Sequence, residues 1–382
     1  MGAGFRWRAP CGRFTVAAET AIPRNAHRRF PMRASRYRPH WLLLWSLVVL
    51  GLFGCRLPLS DAAAQDIQVQ GEDPGLAHLA GEVARLAEQA QGRVGVAAYH
   101  LETGRGVTLN GDEGFPMAST YKVPIAVQIL SMVDRGELGL YDLIEIDQSD
   151  VYTTSSAISD LLDDPGLQIS VHNLLELMLQ ISDNIATDVL MATAGGSQAV
   201  TTRMHEVGVE GIRVDRPTWA LIANWLGAPE VSEDNKIDPE DYEVVLRAPR
   251  TDASTAANNA NFNSDPRDTS TPAAMSTLLQ QIWNRDILSE ESSALLVDIM
   301  YRCQTGEGRL KGVLPAGTEV AHKTGTIGQT TNDVGIIDLP DGAGHVVAVV
   351  YVKESEVPIP EREAVIAQIA RAIHDYFVFN RG

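Results

Sequence analysis

Cysteine is scarce in this chain of 382 residues, with only Cys11, Cys55 and Cys303, so no disulfide framework is expected to hold it together. Metal-ligand spacing is missing too. The nine His include no His-x-x-x-His pair and no Cys/His cluster, and neither a metal nor a cofactor is expected. Positive charge is in short supply: 31 Lys and Arg stand against 49 Asp and Glu, a formal net charge of -18. Most of the balance is lost beyond residue 64, because the first 64 residues hold ten Arg, no Lys and only Glu19 and Asp61. An acidic body repels phosphate backbones and anionic lipid, which excludes nucleic acid as an expected partner. With 45% hydrophobic and 21% charged residues the chain is neither disordered, collagenous nor coiled coil, and it can bury a sizeable core.

The basic start has its own explanation. Trp41 to Gly54 (WLLLWSLVVLGLFG) is an apolar run of 14 residues, short of the ~20 that a transmembrane helix needs. Arg33, Arg36 and Arg38 precede it and Ala62-Ala63-Ala64 follow, the layout of a secretory signal. Residues 1–64 therefore read as a signal peptide with an upstream basic segment, Met32 being an alternative start and Gln65 close to the mature N-terminus. The expectation is an exported protein, periplasmic or extracellular, monomeric and without a membrane span once the signal is removed. A short membrane anchor is the competing reading, and Leu52-Phe53-Gly54-Cys55 resembles a lipobox with a bulky Phe53, so a lipid anchor at Cys55 is another.

Along the body, Gly75 to Gln91 carries Leu76, Leu79, Val83 and Leu86 at helical spacing. Val94 to His100 and Val107 to Asn110 form a hairpin pattern, and a helix is expected from Ser119 to about Val133. Ser170 to Met204 is helical, and residues 227–268, acidic and then rich in Ala, Asn, Ser, Thr and Asp, read as loop. Helical spacing returns at Pro272. Three strands follow (Val320 to Ile327, Val334 to Leu339, His345 to Val352), and a helix closes the chain at Arg362 to Phe377. Sheet pieces at both chain ends around a helical middle imply an α/β fold with an α insertion.

Three short motifs carry the chemistry. Ser119-Thr120-Tyr121-Lys122 places a hydroxyl at a helix start and an amine one turn on, on the same face. An alcohol needs a base within reach, and a Lys whose charge is disfavoured by burial can serve. Ser182-Asp183-Asn184 lies between two apolar helices, where the hydroxyl can relay a proton to a leaving nitrogen and the amide can hold a carbonyl. As plain structure it would be a helix cap. Lys323-Thr324-Gly325-Thr326 falls in a strand, where Lys and Thr can bind a carboxylate, Gly admits a second backbone, and the Thr326 N–H can join that of Ser119 as an oxyanion hole. His322 beside them reads as an outward strand residue. By composition, all three motifs in this order arise by chance on the order of once in ten thousand chains.

Together these motifs resemble those of the class A serine β-lactamases and penicillin-binding proteins, and the resemblance covers about Gly75 to Phe379. It implies a β-lactamase-like α/β fold: an antiparallel sheet flanked by helices from both chain ends, an all-α subdomain at about 134–300, and a cleft between them. It also implies roles: Ser119 as nucleophile, Lys122 as its base or base partner, Ser182 as proton relay, Asn184 as ligand of a substrate amide, and Lys323, Thr324, Gly325 and Thr326 as the carboxylate and backbone subsite. The substrate is then a β-lactam or a peptidoglycan peptide.

One departure stands out. The resemblance places a deacylating Glu two residues after an Arg at the start of the omega loop, yet Arg216 is followed by Pro217 and Thr218. The loop's end is recognisable around Arg267-Asp268, where Asp268 can pair with Arg216, so the omega-type loop spans 216–268. Glu230, Glu233, Glu240 and Glu243 lie within it as candidate replacement bases. Two functions follow: a β-lactamase whose acyl-enzyme is hydrolysed, with slow release an expected consequence of the missing Glu, or a penicillin-binding sensor or peptidase whose acyl-enzyme persists. Gly195-Gly196-Ser197 is a near miss to a nucleophile elbow and reads as a turn. Tyr152 and the long loop are expected to shape the pocket.

Overall fold

A computed structural model describes residues 65–228 and 239–381. The signal-like segment, Cys11, Cys55, Glu230 and Glu233 lie outside the described residues.

The main sheet has six antiparallel strands: β1 (Ile67–Gln70), β2 (Arg93–His100), β3 (Gly106–Leu109), β4 (Val320–Ile327), β5 (Thr330–Asp338) and β6 (His345–Lys353), in the order β1-β3-β2-β6-β5-β4. The two halves of the chain meet at its centre, where β2 pairs with β6 from Val346 opposite His100 to Lys353 opposite Arg93. Because side chains alternate across a strand, Val96, Ala98, Val346, Ala348, Val350 and Val352 face one core while Ala97, Val347, Val349 and Tyr351 face another. The hairpin and last three strands expected from the sequence are all present.

Twelve α-helices accompany the sheet among the described residues. The first four are α1 (Pro74–Ala87), α2 (Lys122–Asp134), the short α3 (Ala157–Leu161) and α4 (Val171–Gln180). Next come α5 (Asn184–Thr193), α6 (Ser197–Glu206), α7 (Thr218–Trp225) and α8 (Pro239–Arg247). The last four are α9 (Asp252–Ser264), α10 (Pro272–Asn284), α11 (Glu290–Tyr301) and α12 (Ile359–Phe379). Helices α1 and α12, from opposite chain ends, pack on one sheet face around Leu76, Leu79, Val83, Ile366, Ile369 and Ile373. The α1 start follows from Pro74 at its first turn and Asp73, whose carboxylate accepts from Gly75 N at 2.8 Å. On the other face α2 is buried nearly all round, from Lys122 through Ser131, as an interior helix should be. It is the hub against which α4, α5, α6 and α11 pack. An α/β architecture with an antiparallel sheet and a helical middle is thus observed.

Three features correct the sequence reading. Residues 227–268 are not simply loop, since they contain α8 and α9. The polar run of α9 lacks an apolar stripe because most of it faces solvent and only Phe262 and Asn263 are buried. What starts it is a capping box between Thr251 and Ser254, and its Ala content sustains it. Strand β5 begins at Thr330, four positions ahead of the expected Val334. Thr330, Thr331, Asn332 and Asp333 look like loop in sequence, yet all four are fully buried. The edge strand β1 and helix α7 were not expected at all.

Candidate active site

The turn before α2 creates the site. Ala118 to Tyr121 form one 3-10 turn, with Ala118 at a positive φ of 46°, and Ser119 sits in it half-buried. Asn332 fixes this turn from β5 by donating to the carbonyls of Pro116 at 2.8 Å and Met117 at 3.0 Å. Strand β4 runs directly alongside. A Cβ on Gly325 would lie 2.5 Å from Met117 O and 3.0 Å from the amide nitrogens of Ser119 and Thr120. Only glycine lets the strand pass so close to the Ser119 backbone, which brings the third motif to the first.

The second motif closes the group. Asp183 caps α5 through Ala186 N at 2.9 Å and binds Ser156 Oγ at 2.8 Å and Ala157 N at 2.7 Å, tying α5 to α3. Ser182 precedes it with a positive φ of 61°, a conformation that L residues rarely adopt and that marks over-determined positions. Its hydroxyl lies 3.1 Å from Lys122 Nζ and 3.0 Å from Lys323 Nζ. Lys122 also donates to Ser182 O at 2.7 Å and to Asn184 Oδ1 at 2.9 Å, while Asn184 Nδ2 donates to Thr154 Oγ1 at 2.8 Å. Lys323 donates further to Thr324 O at 2.8 Å.

Both lysines are fully buried. Burial and, next, the Lys323 charge hold the Lys122 ammonium well below its usual range. Burial brings Lys323 down to about 8. A buried amine beside a second cation is a competent proton acceptor.

Thr324 Oγ1 hydrogen-bonds Thr305 Oγ1 at 2.6 Å. Thr326 Oγ1 accepts from Arg309 at 2.5 Å, and the same guanidinium donates to Gly325 O at 3.1 Å and Asn332 O at 2.8 Å. Arg309 joins this neighbourhood without any signal in the sequence, for it comes from an irregular stretch without a pattern of its own. The expected site residues Ser119, Lys122, Ser182, Asn184, Lys323, Thr324, Gly325 and Thr326 therefore belong to one neighbourhood. A small cavity of about 70 Å³ is lined by Ser119, Tyr121, Asn184, Thr218 and Thr326 among others. His322 corrects its expectation: it does not face outward but is fully buried against Asp333.

Thr218 starts α7 at the cavity wall, its Oγ1 2.6 Å from the Tyr121 hydroxyl. Asp188 anchors that helix start by accepting from Thr218 N at 2.6 Å, Trp219 N at 3.2 Å and the Tyr152 hydroxyl at 2.6 Å. Asp188 was also missed, although it stands four residues after Asn184 and so on the same face of α5. Burial raises its carboxyl. Tyr152 is itself buried, edge-on to Tyr242 at 5.1 Å. The loop ends meet as expected, Arg216 Nε lying 2.6 Å from Asp268 Oδ2 and Arg216 Nη1 3.1 Å from Asp265. Glu243 pairs with Arg247 at 2.8 Å; the side chain of Glu240 lies outside the described residues.

The chain as a whole is similar to known proteins. Residues 78–377 match the Beta-lactamase enzyme family. The extended-spectrum beta-lactamase PER-1 of Pseudomonas aeruginosa is 31% identical over 290 residues, 74% of this chain and 82% of its own length. Beta-lactamase VEB-1 of the same organism is 30% identical over 306 residues, 78% and 89% of the two chains. Among solved structures, an ancestral (GNCA) class A beta-lactamase superposes with a TM-score of 0.63 at 34% identity, covering 78% of this chain and 99% of its own. A beta-lactamase from Chitinophaga pinensis gives 0.63 at 32%, with 78% and 98% covered. With an antiparallel sheet, a helical middle and homologues of this kind, the chain belongs to the beta-lactamase enzyme family and is a serine hydrolase of the class A β-lactamase type.

Proposed function

We propose that the protein hydrolyses β-lactam amides through an acyl-enzyme on Ser119, with release of the acyl group slower than its formation. The observation that carries this reading is the buried, charge-depressed Lys122, one helical turn from Ser119 and joined to Lys323 through the Ser182 hydroxyl. Lys122 takes the Ser119 proton as Oγ attacks the lactam carbonyl, and the Ser119 and Thr326 N–H groups receive the developing oxyanion. Ser182 passes a proton to the departing nitrogen, and the ring opens to an ester. Lys323 and Thr324 hold the substrate carboxylate, and Asn184 its side-chain amide.

Ester hydrolysis needs a group that holds a water and accepts its proton. Thr218 stands where the class A resemblance places a Glu, and a hydroxyl bonded to Tyr121 does not accept that proton. This supports a burst of acylation followed by slow turnover. The same feature favours a second reading, a penicillin-binding sensor or peptidase with a persistent adduct. Intact mass measured over time after mixing with penicillin separates them: the adduct should appear quickly and decay within the assay, whereas an adduct stable for hours supports the second reading. The charge and apolar pattern of residues 33–64 supports export to the periplasm or beyond, which N-terminal sequencing from the native host tests.

A further inference from the structure

One buried cluster takes no part in this chemistry. Cys303 follows α11, while His322 on β4 and Asp333 on β5 stand on neighbouring strands. His322 Nδ1 meets the two Asp333 oxygens at 2.9 and 3.0 Å, and Asp333 also accepts from Leu310 N at 3.1 Å. His322 Nε2 is buried without a hydrogen-bond partner, and His322 shares its face of β4 with Thr324, two residues on, the side from which Thr305 and Cys303 approach the strand. The Cys303 thiol is 6% exposed. It contacts Thr305 Oγ1 at 3.3 Å, and Thr305 Oγ1 in turn bonds Thr324 Oγ1 at 2.6 Å.

An imidazole anchored to a carboxylate through one nitrogen and open to a thiol through the other can take the thiol proton and hold a thiolate. The surroundings agree. His322, Lys323 and Thr305 bring Cys303 down to about 7 against the opposing effect of burial. Asp333 lifts His322 to about 9, also against burial. Lys323 and Arg309 are the other charged groups near the cluster.

We propose that Cys303, His322 and Asp333 form a peroxide-reactive thiol centre coupled to the Lys323 and Thr324 subsite through Thr305, and that its oxidation loosens that subsite. The reacting ligand is hydrogen peroxide, small and neutral enough for a sulfur so little exposed. The thiolate attacks one peroxide oxygen, forming an S–O bond as the O–O bond breaks. Sulfur gives up two electrons and the peroxide is reduced. The departing hydroxide takes the proton from the His322 imidazolium and leaves as water, so the products are a Cys303 sulfenic acid and a neutral imidazole. The new S–OH is a stronger hydrogen-bonding group than the thiol, and it competes with Thr324 for Thr305 Oγ1. The coupling rests on Lys323 and Thr324 binding the substrate carboxylate; the sulfur chemistry does not.

The test treats the purified protein with hydrogen peroxide and dimedone at pH 7 and maps adducts by mass. A dimedone adduct at Cys303 is expected. Peroxide alone should raise KM for a penicillin several-fold, kcat should change less, and dithiothreitol should restore both. Cys303→Ser should keep its basal KM and ignore peroxide. His322→Gln should form the adduct roughly tenfold more slowly as its thiol returns to an ordinary pKa. Should that variant fail to fold, iodoacetamide labelling of Cys303 in the unmodified protein gives the same answer: its rate should be half-maximal near pH 7, and a midpoint near the ~8.5 of a free thiol would overturn the centre. Absence of a Cys303 adduct would overturn it as well, and an adduct with unchanged KM would overturn the coupling. The mass measurement needs no β-lactam, so it reads the thiol centre even if Ser119 is never acylated.

Discussion

Lys122 and Lys323 come from distant parts of the chain and place their amines 3.1 and 3.0 Å from one oxygen, Ser182 Oγ. Burial makes each easier to deprotonate than in water, and the Lys323 charge adds to this at Lys122. The roles proposed for them need opposite protonation states, since Lys122 can act as a base only when neutral and Lys323 can hold a carboxylate only when charged. The kcat/KM for a penicillin should therefore rise as pH climbs through the depressed pKa of Lys122 and fall as pH passes about 8, where Lys323 loses its proton. In Lys323→Met the repulsion is gone, the Lys122 pKa rises, and the acid limb should move to higher pH. Acylation rates measured across pH on both proteins test this; an unmoved acid limb would show that Lys122 is not the base.

Ser119→Ala should abolish labelling by a fluorescent penicillin. Ser182→Ala should leave the label on Ser119 but slow its attachment by about 10²- to 10⁴-fold, the usual contribution of a positioned proton donor. Peptide mapping with stopped-flow labelling checks both, and label on any serine other than Ser119 would refute the assignment.

Thr218→Glu places a carboxylate where the Tyr121 hydroxyl can donate to it and near the Asp188 carboxylate. The second acid raises the pKa of the new one. Deacylation should therefore accelerate, and more so above neutral pH than below it. The decay of the penicilloyl adduct by intact mass, measured at several pH values, is the readout; a rate equal to that of the unmodified protein would show that the loop does not bring residue 218 to the ester.

The Arg216 and Asp268 pair is buried, and Asp268 also accepts from the backbone N–H groups of Asp215 and Arg216. Arg216→Ala leaves this carboxylate without its cation, a loss that typically costs ~3–5 kcal/mol. The unfolding free energy from urea titration should drop accordingly, and a loss of less than about 1 kcal/mol would place the pair among those of surface strength.

Gly325→Ala forces a methyl against Met117 O. Overpacking of this kind costs ~1–3 kcal/mol. Here the atoms that must give way carry Ser119, so acylation should suffer more than the thermal midpoint; a variant with full activity would show that β4 can move aside freely.

Much of this was legible because it is written in local spacing. Ser119 and Lys122 share a helical turn, the valines of β6 alternate, and Leu76 to Leu86 repeat at helical intervals. The misses arise where a residue's role depends on a partner far along the chain. Thr330 to Asp333 look like loop because their burial is paid for by contacts with Asn263, Pro116, Met117 and His322, which no local pattern reveals. His322 was misread for the same reason, its environment being set by Asp333 across the strand pair. Asp188 was legible in part, through its spacing from Asn184, but nothing local says that it receives the start of α7. Helix α9 was hidden because its stability comes from caps and alanine and not from an apolar face.

The pairing of β2 with β6 has a consequence for how the molecule is made. Arg93 must find Lys353 and His100 must find Val346, so the central ladder joins segments from near the two ends of the chain. No local nucleus can complete the sheet, since β2 waits for a strand that follows all of α2 to α11. Contacts so distant in sequence make folding slow, and the helices between the two strands have to be spanned before the halves of the sheet can join.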